Sequence, residues 1–210
     1  MNDFLASLYF ETDPCLAELR SFASTHNVPI LRPDSAAFLR TLVLLKQPGK
    51  ILEAGTAIGY SALLMAKAAP GATVETVELD ADTAAIARGN IRACGPEVEG
   101  RVRVILGDAS EVFASLRGPY DLIFLDSAKG QYVHMLDDVL RLLSPGGLLV
   151  ADNCIFYGKV FDEPASAPHK HRTIVANMRD FIDRVLCGGE FDGSLLECGD
   201  GMLVAVKRPR

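Results

Sequence analysis

The hydrophobic and polar positions along this chain change their spacing near residue 49. Before that point the apolar residues recur at helical spacing, as in the stretch from Asp34 to Leu45, where Asp34 or Ser35 is the expected N-cap. Beyond it, short apolar runs, which predict strands, alternate with longer stretches of helical spacing. The predicted strands are Lys50–Ala54, Thr73–Leu79, Val102–Leu106, Leu122–Asp126 and Leu148–Asp152, and the predicted helices are Ser61–Ala69, Asp82–Cys94, Ser110–Leu116, Tyr132–Leu143 and Thr173–Leu186.

The alternation of strands and helices determines the predicted fold class. It indicates βαβ units and an α/β fold with a mostly parallel sheet, and the nearly continuous apolar runs of the strands indicate burial on both faces. At the end of the chain, Leu195–Glu197 and Met202–Lys207 flank a Gly-Asp-Gly turn, which predicts an antiparallel hairpin. We therefore expect one domain, in which residues 1–49 form an N-terminal helical segment and residues 50–210 form the α/β core.

The composition is that of an ordinary globular protein, and the net charge disfavours some classes of binding partner. Of its 210 residues, 49% are hydrophobic and 23% are charged, and the formal net charge of −6 argues against broad binding to nucleic acid or to anionic membranes. The five scattered cysteines lack C-x-x-C spacing and are expected to be free thiols in a reducing compartment. Since neither a signal peptide nor a membrane span is visible, we expect a cytoplasmic protein.

Glycines follow the first predicted strand, at the edge where open parallel sheets bind their ligands. This strand carries Glu53 and leads through Gly55 and Gly59 into the helix that begins at Ser61. Glycines let a ligand approach the backbone, and the N–H groups at the start of a helix face it. The Gly-x-x-x-Gly spacing lacks the tighter Gly-x-Gly-x-x-Gly cradle of a pyrophosphate, so it favours a small amino-acid tail over a dinucleotide. A purely structural turn is the alternative.

Acidic residues follow the next two strands. Glu78, at the end of the second strand, can accept hydrogen bonds from the hydroxyls of a ribose. After the third strand, the Asp108 carboxylate can accept a hydrogen bond from an adenine amino group, while the small Ala109 leaves room for the ring. Each acid alone could be a solvated charge, but together with the glycine turn they indicate a site for an adenine nucleoside.

Two further strand ends carry a different chemistry. Asp126 ends the fourth predicted strand, and Asp152 and Asn153 end the fifth. Two carboxylates and an amide oxygen are hard ligands that suit Mg²⁺ or another divalent ion. Lys129 follows Asp126 closely and is the candidate base, with a surface ion pair as its alternative role. For the acids, the alternatives are helix caps or loop hydrogen bonds. The irregular stretch 156–172 is predicted to lie over this site.

The combination resembles the cation-dependent O-methyltransferases, a family that includes catechol and caffeoyl-coenzyme A O-methyltransferases and many small bacterial relatives. The Asp-x-x-Lys motif at Asp126 together with Asp152-Asn153 is the specific part, whereas the glycine turn is typical of class I methyltransferases in general. The resemblance implies a homodimer and a Rossmann-like methyltransferase core over residues 50–210. Its sheet would be seven-stranded and mostly parallel, with a terminal antiparallel strand.

By the same resemblance, the protein would transfer a methyl group from S-adenosylmethionine to a hydroxyl group with the help of a divalent cation, first of all Mg²⁺. Asp126, Asp152 and Asn153 would bind the cation. Lys129 would be the catalytic base, with Asp126 beside it. The residues that the resemblance implies for binding S-adenosylmethionine are Leu31, Glu53, Gly55, Gly59, Ser61, Glu78, Asp108, Ala109 and Asp126.

The methyl acceptor stays open between two classes. A small aromatic or catechol-like compound is the first expectation, but Ser127-Ala128 stand where catechol enzymes of the family have bulky residues, and their additional substrate-binding glutamate has no match here. The stretch Ala128 to Tyr132 is similar to a bacterial subgroup that includes a tRNA 5-hydroxyuridine methyltransferase, so tRNA is the alternative. A non-catalytic S-adenosylmethionine-binding module is the alternative of another class, and the missing dinucleotide motif disfavours an oxidoreductase.

Overall fold

The computed structural model describes residues 8–162 and 168–209, and its strands and helices alternate from Lys50 on as the sequence predicts. Residues 1–7 lie outside the described residues, so the expectation that the N-terminus is not a signal peptide stays a prediction. Residues 163–167, which belong to the predicted irregular stretch, also lie outside them. The strands are β1 (Lys50–Ala54), β2 (Thr73–Glu78), β3 (Val102–Leu106), β4 (Tyr120–Leu125), β5 (Leu143–Ala151), β6 (Phe191–Leu196) and β7 (Met202–Lys207). The helices are α1 (Pro14–His26), α2 (Pro33–Lys46), α3 (Tyr60–Ala68), α4 (Ala81–Ala93), α5 (Pro96–Glu99), α6 (Ala109–Ser115), α7 (Tyr132–Leu142) and α8 (Arg172–Cys187).

The strands belong to a mostly parallel seven-stranded sheet with the order β3-β2-β1-β4-β5-β7-β6. β7 runs antiparallel to both β5 and β6, which confirms the predicted Rossmann-like α/β class with an antiparallel end. β6 is longer than the predicted Leu195–Glu197 and begins at Phe191. The early part of β6 is exposed and consists of Asp192, Gly193 and Ser194, so it lacks the hydrophobic pattern on which the prediction depended.

The chain divides into two compact units, of which the first ends at Asp108. This unit is built on the parallel strands β1, β2 and β3, and helix α3 is buried on nearly all sides. Asp13 caps α1, because its carboxylate accepts a hydrogen bond from the N–H of Leu16 at 3.1 Å. The expected cap of α2 at Asp34 or Ser35 is wrong. Helix α2 begins at its proline, whose fixed φ suits the first helical position, and so includes both residues.

A disulfide bond joins Cys15, near the start of α1, to Cys94 at the end of α4, with 5.8 Å between the two Cα atoms. This bond corrects the expectation that all five cysteines are free thiols. The two residues are 79 positions apart, so their pairing follows from tertiary packing, which local spacing rules such as C-x-x-C do not detect. Of the other cysteines, Cys154 is a buried free thiol and Cys187 is an exposed one.

The second unit begins at Ala109 and contains the parallel pair β4–β5 and the hairpin β6–β7. The hairpin turn holds the segment that follows β5. The Asp200 carboxylate accepts a hydrogen bond from the N–H of Tyr157 at 2.7 Å, and the Gly201 carbonyl accepts one from the N–H of Cys154 at 2.8 Å. Within residues 8–162 and 168–209, no helix has the length and apolar character needed to cross a membrane.

Gly201 tests how closely the hairpin turn packs against the segment after β5. Its φ is +91°, and an added Cβ would meet Cγ1 of Ile155 and lie 2.6 Å from the backbone nitrogen of that residue. Gly201→Ala is therefore expected to lower the free energy of unfolding by about 3 kcal/mol, against about 1 kcal/mol for a left-handed alanine alone. Gly189→Ala is the matched control, since Gly189 has a φ of +84° but no atom within 4 Å of an added Cβ. Urea denaturation measures both losses, and equal losses would contradict the packing argument.

Candidate functional site

The turn between β1 and α3 is built from left-handed backbone positions. The φ angle is +100° at Gly55 and +89° at Gly59, values that glycine adopts freely. Ala57 lies between them and also has a positive φ of +46°, which is uncommon for a residue with a Cβ. Its N–H donates to Oε2 of Glu78 at 2.9 Å, so a carboxylate at the end of β2 holds the turn in this conformation. The sequence pattern indicated the glycines but not the contribution of Ala57.

Glu78 is half-buried, and both of its carboxylate oxygens accept backbone hydrogen bonds. Oε1 accepts from the N–H of Asp80 at 3.1 Å, in addition to the contact between Oε2 and Ala57. Each carboxylate oxygen can accept more than one hydrogen bond, so the backbone orients the group while leaving it capacity for further hydroxyl donors. This is the chemistry that the sequence predicts for an acid at this strand end.

Glu53 is fully buried and bonded to the neighbouring strand. β1 and β2 pair Glu53 with Thr76, whose hydroxyl donates to Oε2 of Glu53 at 2.5 Å. The Thr56 hydroxyl lies 2.7 Å from the Thr76 oxygen and donates to it, because the single hydroxyl proton of Thr76 is engaged by Glu53. Glu53 therefore ties the glycine turn to β2 through two threonines, a contribution that the sequence pattern does not reveal.

The other residues predicted for the nucleoside lie at the ends of helices and strands. Leu31 is buried just before α2, and its carbonyl accepts a hydrogen bond from Arg20 at 3.1 Å. Ser61 is buried in the first turn of α3. Asp108 follows β3 and is half-buried, and Ala109 begins α6. Since β1, β2 and β3 are parallel neighbours, their carboxyl ends and the acids predicted there lie along one edge of the first unit.

In the second unit, Asp126 and Asp152 follow neighbouring strands. β4 and β5 are parallel, with Leu125 in register with Ala151, so the two aspartates are the next residues on each strand. Nζ of Lys129 lies 3.1 Å from Oδ1 of Asp126. The structure therefore brings together both predicted acids and the predicted lysine. It also shows that Lys129 makes the ion pair considered as its alternative role.

Several residues after β5 adopt strained backbone conformations. Asn153 has a left-handed φ of +58°, and its N–H donates to Oδ1 of Asp152 at 2.8 Å. Phe156 and Tyr157 have φ angles of +49° and +56°, and Nζ of Lys159 lies 4.8 Å from the centre of the Phe156 ring. Such conformations persist only where surrounding interactions hold them, and they concentrate at functional sites. The start of the predicted irregular stretch is therefore shaped by contacts rather than free.

The carboxylates of Asp126 and Asp152 are disfavoured as charges in this environment. Burial raises the pKa of Asp126, although the nearby Lys129 ammonium opposes the shift. Burial, followed by the charge of Asp126, raises the pKa of Asp152 to about 7, and the hydrogen bond from the Asn153 N–H acts in the opposite direction. A bound cation would relieve the repulsion between the two carboxylates, so this pair has the electrostatic character of a cation site.

The donor set available for such a cation is small. Across the described parts of the chain, no three His, Cys, Asp or Glu side chains are gathered into a metal-binding group. The predicted set consists instead of two carboxylates and the amide of Asn153. Such a set leaves coordination positions to water or to ligand oxygens, which is the usual arrangement for Mg²⁺.

Three features place this chain in the class of the S-adenosylmethionine-dependent methyltransferases. They are the strand order, the turn after β1 and the acids at the strand ends. Within this class, the model of the O-methyltransferase family matches residues 6–208, nearly the whole chain. The chain therefore belongs to the O-methyltransferase family, which confirms the family and the enzyme class predicted from the sequence.

Individual relatives agree with this assignment. The chain is 38% identical to a catechol O-methyltransferase of Niastella koreensis, over 95% of this chain and 92% of the relative. It is 32% identical to a catechol O-methyltransferase of Mycobacterium tuberculosis, over 80% of this chain and 77% of the relative. The crystal structure of an O-methyltransferase from Bacillus cereus in complex with SAH has a TM-score of 0.85 at 26% identity, covering 99% of this chain and 96% of that chain. Family and structure thus support S-adenosylmethionine as the predicted cofactor.

The raised pKa of Asp152 has a consequence for stability. The folded protein retains this proton up to about pH 7, whereas the unfolded chain releases it near the ordinary value of 3.8. The unfolded state therefore binds fewer protons, and the free energy of unfolding of the metal-free protein falls as the pH rises between these values. Asp152→Asn removes this loss, so in EDTA it should stabilise the protein by about 4 kcal/mol at pH 8 and hardly at all below pH 4.

Urea denaturation at the two pH values measures this effect. Asp192→Asn is the control with the opposite sign, because a hydrogen bond from Arg208 lowers the pKa of the exposed Asp192. Removing that carboxylate should slightly weaken the protein at pH 8. An Asp152→Asn variant that is less stable than the wild type at pH 8 would show that burial does not oppose the charge of Asp152.

Proposed function

We propose that this protein transfers the methyl group of S-adenosylmethionine to a hydroxyl of a small aromatic, catechol-like acceptor with the help of a divalent cation. The observation that carries the proposal is the group formed by Asp126, Lys129, Asp152 and Asn153 at the ends of β4 and β5. Membership in the family accounts for the methyl donor and for oxygen as the accepting atom. The group at the strand ends accounts for how a hydroxyl becomes reactive at neutral pH.

We assign the methyl donor first to the glycine turn and to Glu78. The turn would allow close approach of a ligand to the backbone, and the Glu78 carboxylate, held by two backbone N–H groups, would accept from ribose hydroxyls. Ser61, in the first turn of α3, is assigned to the amino-acid tail, where the N–H groups of a helix start favour a carboxylate. The remaining proposed contacts to the donor are Leu31, Glu53, Gly55, Gly59, Asp108, Ala109 and Asp126.

We assign the cation to Asp126, Asp152 and Asn153. These side chains offer hard oxygen ligands, and the pKa of about 7 at Asp152 shows that its charge lacks sufficient compensation from the protein itself. A divalent cation bound there would lower the pKa of a hydroxyl that it contacts and would hold that hydroxyl in place. Mg²⁺ is the proposed ion, because a set with two carboxylates leaves positions for the waters that Mg²⁺ retains.

Lys129 is the residue that we assign to the acceptor's proton. A phenol has a pKa of about 10, judged from tyrosine, so it is protonated at neutral pH. During transfer, the oxygen forms a bond to the methyl carbon while the carbon–sulfur bond breaks, and the sulfonium becomes a thioether. The phenolic proton would leave to Lys129 in its neutral amine form, so Lys129 must first release to solvent the proton that it carries in the ion pair of 3.1 Å with Asp126. Alignment of the reacting groups contributes the rest of the rate advantage.

The acceptor proposal draws on the relatives and on charge. The two relatives that are 38% and 32% identical to this chain are both named catechol O-methyltransferases. The net charge of −6 disfavours extended contact with the phosphates of tRNA. A catechol-like compound is therefore the acceptor that we propose, and 5-hydroxyuridine in tRNA is an outcome of the acceptor test.

The cation is tested by removing it and by removing one of its proposed ligands. Asp126→Ala should lower kcat/KM by about 100-fold or more, because the cation and Lys129 both lose a partner. The wild type in EDTA should show a comparable loss that added Mg²⁺ reverses. Asp192→Ala, on the exposed part of β6, is the matched control and should keep its activity. Full activity of Asp126→Ala and of the EDTA-treated wild type would remove the cation from the mechanism.

The acceptor is tested with labelled S-adenosylmethionine and three acceptors: catechol, phenol and undermodified total tRNA. We expect transfer to catechol to exceed transfer to phenol by about 10-fold or more, because two adjacent oxygens can contact one cation. Label that enters tRNA but not catechol would support the tRNA alternative. Calorimetric binding of S-adenosylmethionine without transfer to any acceptor would support the non-catalytic module.

A further inference from the structure

The buried hydroxyl of Tyr132 lies between the two strand ends that carry the acids. Tyr132 is the first residue of α7, and its side chain is fully buried. Its O–H is shared between the carbonyl oxygens of Leu125, at 3.1 Å, and Asp152, at 3.3 Å. The backbone of Ser127 acts on the same hydroxyl, because a hydrogen bond from it lowers the pKa of Tyr132 against the larger effect of burial, which raises it. One side chain therefore bonds to the end of β4, to the residue after β5 and to the loop that follows Asp126.

These contacts extend the pairing of β4 and β5 past its last backbone hydrogen bond. That bond runs from the N–H of Asp152 to the carbonyl of Leu125 at 2.9 Å. Asp126 comes directly after Leu125, so the two aspartates stand where the backbone ladder stops. Beyond the ladder, the separation of two chains is no longer set by the regular spacing of a sheet. The Tyr132 hydroxyl supplies the bonds that the backbone ceases to supply at this level.

We propose that Tyr132 is a positioning residue whose hydroxyl sets the separation of Asp126 and Asp152 for the acceptor chemistry. The inference rests on the proposed function of these two acids. The ring of Tyr132 packs edge-on against Phe181 of α8, with 5.5 Å between the ring centres and 67° between the ring planes. This packing fixes the ring, so the hydroxyl stays at the strand ends. Tyr132 acts through the two acids and not on the acceptor itself.

A purely structural role for a buried tyrosine is the competing interpretation, and Tyr120 offers a matched comparison. Tyr120 is also fully buried, and it begins β4 at the end of the strand away from the acids. Replacing either tyrosine with phenylalanine keeps the ring and removes one buried hydroxyl. Tyr132→Phe, in contrast to Tyr120→Phe, removes that hydroxyl from the strand ends.

The experiment compares Tyr132→Phe and Tyr120→Phe with the wild type in the full chain. For Tyr132→Phe we expect amide hydrogen exchange at Ser127 and Asp152 to be about 10-fold faster, with Leu148, further from the end of β5, unchanged. We expect calorimetric affinity for Mn²⁺ and kcat for catechol each to fall by about 10-fold, because the acids lose their spacing. The KM for S-adenosylmethionine should stay within about twofold of the wild-type value, because Asp126 is one of several proposed contacts to this substrate, whereas a general loss of structure would raise the KM further. Tyr120→Phe should leave all four quantities unchanged.

Two results would overturn the inference. The first is a Tyr132→Phe variant with wild-type exchange at Asp152, wild-type Mn²⁺ affinity and wild-type kcat. The second is an equal change in both variants, because that is the behaviour of two structural tyrosines. A wild type that neither binds Mn²⁺ nor methylates catechol would refute the proposed function. In that case the exchange rate of the Asp152 amide still decides whether the Tyr132 hydroxyl holds the strand ends.

Discussion

Parallel pairing between neighbouring strands is the constraint on which the rest of this structure depends. Parallel strands share one direction, so their carboxyl ends meet at one edge and the chain must leave the sheet there before it crosses over to the next strand. In the first unit, this edge carries the glycine turn and Glu78. In the second unit, it carries Asp126 and Asp152. In each unit, the polar side chains therefore lie where the strands stop pairing, which is where open parallel sheets generally bind their ligands.

The backbone at these points is held by specific side chains rather than by regular secondary structure. Ala57 keeps its left-handed conformation against the Glu78 carboxylate, and Tyr157 keeps its own against the Asp200 carboxylate. Each left-handed residue with a Cβ costs on the order of 1–3 kcal/mol, so these conformations require partners that stay in place. The buried strands supply that rigidity. Glu78 thus has two tasks, since it holds the turn and presents acceptor oxygens, and a substitution there affects both.

The fold and part of the candidate site could be predicted because both follow from local patterns. β1 and β3 begin and end where the apolar runs do, and the acids were identifiable because they directly follow such runs. β5 begins at Leu143, five residues before the predicted start. The prediction missed this part of the strand because residues 144–147 have the composition of a turn. The disulfide between Cys15 and Cys94 and the hydrogen bonds of Tyr132 could not be predicted in this way. They depend on packing between segments that are distant in sequence, which no periodicity encodes.

Burial of the two aspartates links the stability of the protein to its proposed chemistry. In the metal-free protein, Asp152 relieves its buried negative charge by binding a proton. Its pKa of about 7 means that this protonation occurs near neutral pH. A divalent cation must then compete with that proton, so cation binding should release protons and strengthen as the pH rises. The same low-dielectric surroundings that disfavour the bare carboxylates also strengthen their attraction to a cation. Lys129 provides one positive charge beside Asp126, which is too little for two carboxylates. Under the proposed function, a doubly charged ion would supply the positive charge that the two carboxylates lack, whereas in the metal-free protein above about pH 7 the burial of the charged Asp152 opposes folding.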